Sequence, residues 1–176
     1  MNEESIWYKV IAPAFDKMQI GEVYGTTDNV IGRKIAISAS ELKDVKPKAG
    51  YKLFFRVDSV SNSECNAELD SLVLSREQVG RLTRHNVSKL SVVVPVQIDK
   101  KPYAMKLICV INKAENAYKK AVAAEAAKFV SGEVKDRDMK DITLDVITGK
   151  IQNQLHKNLN KIYPTRAAEI RAVVPR

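Results

Sequence analysis

Cysteine, histidine and long apolar runs are scarce in this sequence, and each scarcity excludes a class of function. Cys65 and Cys109 stand 44 positions apart without a CxxC pair, and only two histidines are present, so neither a disulfide framework nor a zinc site is expected. Both cysteines read as reduced thiols. No apolar run approaches the roughly 18 residues of a membrane span. The opening MNEESIWYK is acidic where a secretory signal is basic and then apolar. A cytosolic address and no membrane partner are therefore expected. The P-loop pattern G-x-x-x-x-G-K-S/T, G-x-G-x-x-G, H-E-x-x-H and G-x-S-x-G are all missing, which removes the common nucleotide, zinc-protease and hydrolase signatures. His85 and His156 have no cysteine or acid at ligand spacing and read as surface or RNA-facing side chains. DRDMKD, residues 136–141, reads as a capped helix start in preference to a metal site. No catalytic residue, metal or cofactor is expected.

What is present is enough hydrophobic material for a buried core, 45% of 176 residues, and a surplus of positive charge. The net charge is +8 and the pI about 9.4, which raises a polyanion as partner. The surplus is regional: residues 1–74 hold 9 basic and 11 acidic side chains, 75–113 hold 8 and 2, and 114–176 hold 12 and 8. Two windows, 78–98 and 146–168, contain no acid at all, the composition that counterion release from a phosphate backbone favours.

The first two thirds read mainly as strands, at residues 6–11, 32–38, 51–60, 89–98 and 103–112, rich in β-branched and aromatic side chains between turn-forming stretches. Residues 98–102 form a hairpin corner. The apolar run 92–96 implies a strand buried on both faces, while Pro95 suggests a bulge or an edge. Adjacent Trp7 and Tyr8 fall on opposite faces of a strand, one packing inward and the other presenting a ring to a base or a protein.

Helices follow a different period. Ser75 with Gln78 is a capping pattern for a short helix over 75–84, with Val79 and Leu82 opposed to Arg76, Arg81 and Arg84. From residue 114 to 130 a helix places Tyr118, Ala121, Val122, Glu125 and Phe129 near one face and stops at Gly132. A shorter one is capped by Asp138 and ended by Gly149. In the last, Ile151, Leu155, Leu159 and Ile162 form an apolar stripe, with Lys150, Lys157 and Lys161 clustered away from it. Pro164 ends that helix, and 168–175 reads as a final strand. The fold class expected is α+β: residues 1–113 a mainly β core with one short helix, and 114–176 a helical region with a terminal strand, packed on the core as one domain.

Three motifs carry a resemblance to a known family. WYKVIAP at 7–13 is followed by IGE at 20–22, IGR at 31–33 leads into LKD at 42–44, and GKIQNQLHKNLNKIYPTRAAEIR spans 149–171. LSREQV at 74–79 stands where the family has an L-S/T-R-D/E helix start. The chain resembles the small-ribosomal-subunit protein family S-three-A-e, or eS-one, of archaea and the eukaryotic cytosol. It departs from that family in reading MNEES where relatives have a lysine-rich arm, and in an alanine-rich helix at 114–130 where they are strongly basic. The resemblance implies a curved β-sheet or barrel-like core with flanking helices concentrated in the C-terminal third. It implies a cytoplasmic, non-enzymatic ribosomal protein on the platform, near the mRNA exit and the rRNA 3′ end. Partners implied are small-subunit rRNA, neighbouring ribosomal proteins and an initiation factor docking on the platform.

Under that reading the cations expected to meet rRNA are Arg33 and Lys34; Arg76, Arg81 and Arg84; Lys113, Lys119 and Lys120; Lys150, Lys157 and Lys161; and Arg166 and Arg171. A second reading is a docking module for translation factors with incidental RNA contact, suited to the low charge of residues 1–74. A third, an enzyme, needs clustered perturbed groups in a pocket, and no cluster is visible in the sequence.

Overall fold

Alternation sets the first strand. In β1 (Ile6–Ala12) Tyr8, Val10 and Ala12 are buried and Trp7 and Lys9 exposed, the period of a half-buried strand. A one-turn 3-10 helix, Pro13–Phe15, returns the chain into β2 (Met18–Gly25), its antiparallel partner. The short helix α1 (Thr27–Val30) precedes β3 (Lys34–Ser38), and β4 (Tyr51–Ser61) and β5 (Glu64–Leu74) form a long hairpin. Helix α2 (Arg76–Leu82) begins at Ser75, whose Oγ accepts the Gln78 amide at 3.5 Å, one half of the expected capping box; the Ser75 amide donates to the Gly50 carbonyl at 2.7 Å instead. β6 (Val87–Ile98) and β7 (Lys101–Asn112) are joined by Asp99 and Lys100 at φ 51° and 62°, the paired left-handed residues of a tight hairpin turn. Then come α3 (Asn116–Val134), α4 (Met139–Ile147), α5 (Lys150–Leu159) and β8 (Thr165–Pro175). The structure, a computed structural model, describes residues 5–43, 45–48, 50–83 and 86–176.

These strands make one open, mixed sheet of eight in the order β2-β1-β5-β8-β7-β6, with β4 also on β5 and β3 beyond β4. β1 and β5 pair in parallel. The α+β class expected is the class observed, with an open sheet as its core and no closed barrel among the described residues. A Cβ at Gly21 of β2 would stand 3.7 Å from Ile35 of β3, yet no ladder joins those strands among the described residues. β8, last in sequence, lies between β5 and β7. Helix α3 packs along β6, α5 along β8, and α4 against α5.

Four details differ from expectation. The run 92–96 is not buried on both faces: β6 is the sheet edge, Val94 is buried and Val93 is 61% exposed. The strand covered on both faces is β7, where residues 107–111 are all buried; it lies between β6 and β8, the strands on which α3 and α5 pack. Pro95 sits on the edge strand, where a missing N–H is tolerated. Helix α3 runs past Gly132, and it buries Val122, Ala126, Val130 and Val134 in place of the face expected; an alanine-rich helix has two similar faces, and the valines fill the one against the sheet. The Asp138 side chain makes no cap bond; Asp99, from the β6–β7 turn, accepts the Met139 amide at 3.1 Å instead. Ile162 lies beyond α5 and is exposed, while Ile151, Leu155 and Leu159 are fully buried.

A buried polar network ties helix to sheet. Gln152 Nε2 donates to the Tyr51 hydroxyl at 2.8 Å and to the Val146 carbonyl at 2.7 Å. The Tyr51 hydroxyl in turn donates to the Ile170 carbonyl at 3.0 Å, and Lys48 meets Glu169 at 3.0 Å.

Candidate nucleic-acid interface

The β7–α3 and α5–β8 connections meet at one place. α5 ends at Leu159 with Asn160 as its C-cap, ahead of Pro164, whose carbonyl accepts the Asn112 amide at 3.3 Å. The Tyr163 hydroxyl donates to the Lys113 carbonyl at 2.9 Å, and Arg166 Nε donates to Asn112 Oδ1 at 2.7 Å. Tyr118, in the first turn of α3, lies against Tyr163 with ring centroids 5.0 Å apart and is 47% exposed. Lys113, Arg166 and the first turns of α3 bearing Lys119 and Lys120 are thereby drawn around a tyrosine pair. Cations beside an aromatic plane suit phosphate contact and base stacking together.

The sheet aims the two arginines of the last strand. On β7, Lys106 pairs with Ala172 and Leu107 with Ile170, which leaves Arg171 as an extra residue; Val110 pairs with Ala167 and Ile111 with Thr165, which leaves Arg166 extra. Both arginines thus occupy β-bulges, where an unpaired residue is turned out of the ladder, and both are exposed.

The remaining candidates are dispersed. Lys150, Lys157 and Lys161 are exposed along α5, with Lys150 3.5 Å from Asp145 and Lys161 donating to Asn158 at 3.4 Å. Arg76 and Arg81 are exposed on α2; Arg84 lies outside the described residues. Lys34 opens β3 and Arg33 immediately precedes it, in the N-terminal part of the sheet. Lys34 Nζ is 2.7 Å from Asp70, which also holds Arg56 at 3.0 Å, so Lys34 is engaged in an internal ion pair. Among the described residues, only Lys34 and Lys150 of the candidates form an ion pair. The other ion-paired cations, Lys48, Arg56, Lys101 and Arg137, are not candidates.

The tyrosine pair is missing from the sequence reading, which places Tyr118 near one face of α3 with Val122 and Phe129 and passes over Tyr163; the only signal was a tyrosine immediately before Pro164. His156 is half-buried: its Nε2 lies 2.8 Å from the Thr165 carbonyl and its Nδ1 3.3 Å from the Asn160 amide nitrogen, so the ring braces α5 against β8. Among buried nucleophiles, burial pushes the Cys109 thiol up to about 12, which leaves it inert.

The description Ribosomal S3Ae family belongs to a family model that matches residues 3–174. Archaeal relatives match over nearly the same span. The chain is 24% identical over 168 residues to the small ribosomal subunit protein eS1 of Methanoculleus marisnigri, covering 93% of this chain and 85% of that one. It is 26% identical over 172 residues to the protein of the same name from Halorubrum lacusprofundi, with 96% and 80% covered. For that of Archaeoglobus fulgidus the identity is 27% over 173 residues, with 95% and 82% covered. Because the match reaches from before β1 into the last residues of β8, the chain belongs to the Ribosomal S3Ae family.

Proposed function

We infer that this chain is a structural, non-enzymatic component of the small subunit of the cytoplasmic ribosome, bound to rRNA and to neighbouring ribosomal proteins. The observation that carries the reading is the family match over residues 3–174. The geometry supplies the means of attachment. Arg166 and Arg171 on their bulges, Lys113, Lys119 and Lys120 around the tyrosine pair, and Lys157 and Lys161 on α5 meet phosphate and 2′-hydroxyl groups. Such contacts fix position and register without reading sequence. Arg76 and Arg81 extend the same role to α2. The finer position that goes with this reading is the platform, near the mRNA exit and the rRNA 3′ end, with an initiation factor as a further partner.

Sedimentation tests it. The tagged chain in a cell lysate is expected to co-migrate with small subunits and to stay there after a high-salt wash. Release by the wash would mark a loosely bound factor, and migration at the top of the gradient would sink the assignment.

A further inference from the structure

The end of the β1–β2 hairpin carries a surface that the cationic interface does not use. Trp7 and Tyr24 stand directly opposite each other in the ladder, with ring centroids 5.3 Å apart, and are 64% and 52% exposed. Ile6, 41% exposed, pairs with Gly25, and a Cβ at Gly25 would meet Val30 at 3.1 Å and Arg33 at 3.4 Å. Ile31, next after Val30, is 48% exposed. Four of the seven large apolar side chains exposed among the described residues are therefore at this one end. An apolar group of this kind marks a contact surface on a protein that otherwise covers its apolar material. Arg33 completes the patch: it is exposed, its Nη1 donates to the Tyr24 carbonyl at 2.9 Å, and it forms no ion pair among the described residues.

Charge selects the occupant. Residues 1–74 are net acidic; near this end Lys9 stands across from Glu22 and Lys34 is held by Asp70, while Arg33 forms no ion pair among the described residues. A single-stranded RNA site needs a groove of cations along the backbone in addition to stacking rings, and the surplus cations lie in residues 75–176. Tryptophan, tyrosine and arginine in one exposed cluster are the side chains that anchor protein interfaces. We propose that Trp7, Tyr24 and Arg33 form a docking site for a neighbouring small-subunit protein, one that offers an apolar cleft for the rings and a carboxylate for the guanidinium. This rests on the ribosomal reading above and gives it a protein-facing surface opposed in character to the RNA-facing one.

Trp7 is the only tryptophan, so a single label reports on the patch. The full chain carrying 5-fluorotryptophan is titrated, by fluorine NMR, with small-subunit proteins freed of rRNA and purified singly, and in parallel with protein-free small-subunit rRNA. One of the proteins is expected to shift the resonance and to keep doing so at high salt. Trp7→Ala, followed through an amide signal, and Arg33→Glu, through the fluorine, should each weaken that binding by about 30-fold or more with an unchanged melting temperature. A shift produced by rRNA and by no protein, or none from any protein by a chain that still co-sediments with small subunits, overturns the docking site. Failure to co-sediment overturns the ribosomal reading itself, and the docking site with it.

Discussion

The Tyr51 side chain is buried, 1% exposed, and its hydroxyl is shared between helix and sheet. It donates to the Ile170 carbonyl and accepts from Gln152. Burial first, and the Glu169 carboxylate second, raise its pKa above the ordinary 10.0. Burial likewise takes Cys109 from 9.0 to about 12. A group whose folded-state pKa is raised contributes stability that is whole below its unfolded pKa and is lost as pH climbs through the folded one. Urea unfolding should therefore show stability declining from about pH 9 upward as the thiol and then the phenol ionise in the unfolded chain. Tyr51→Phe should cost about 1–3 kcal/mol near neutrality, since Gln152 loses a buried partner, and should flatten the decline above about pH 10. A variant profile as steep as the parent's would show that Tyr51 is not the group responsible.

Helix α5 separates packing from display. Ile151, Leu155 and Leu159 are fully buried on one side, and Lys150, Lys157 and Lys161 are exposed. Leu155→Ala should destabilise the fold by about 2–5 kcal/mol, read as a lower urea midpoint. Replacing the three lysines by glutamine should reduce incorporation into small subunits and leave the melting temperature nearly unchanged, because only Lys150 holds a carboxylate, at 3.5 Å, and a surface pair contributes little. Equal losses in both measurements would make the stripe structural. The apolar period of α5 is legible in the sequence because its stripe is sparse and unambiguous. That of α3 is not, because alanines surround the valines and only contact with the sheet distinguishes the faces. β2 and β5 escape notice although they alternate, because Gln19, Glu22, Asn66, Glu68 and Asp70 keep them out of the β-branched and aromatic runs by which the other strands are recognised. Short-range pattern carries no information on which strand becomes an edge, so the apolar β6 passes for a central one. The candidate cations are visible as charge, but the tyrosine pair that gathers several of them depends on two connections meeting across 50 positions of sequence.

Across the whole molecule, the proposed cationic interface around the last strand and the proposed docking patch on the first hairpin are divided by strand order. The ladder path from the β1–β5 strands to the β6–β7 hairpin passes through β8 alone among the described residues, so the strand bearing Arg166 and Arg171 is also the joint of the sheet. If six or more phosphates are contacted, affinity for protein-free small-subunit rRNA should fall by about a thousandfold or more between roughly 50 and 200 mM salt; a flat response in a filter-binding titration would show that protein neighbours, not rRNA, hold the chain. The two bulges have one more consequence. Deleting either arginine outright would put Thr165 next to Ala167, or Ile170 next to Ala172, in the same register they already keep with β7, so inward and outward positions farther along would not exchange. These residues are spare letters in the strand: its spelling closes up without them, and apart from the Arg166–Asn112 hydrogen bond what is lost on their removal belongs to the molecule's surroundings and not to its fold.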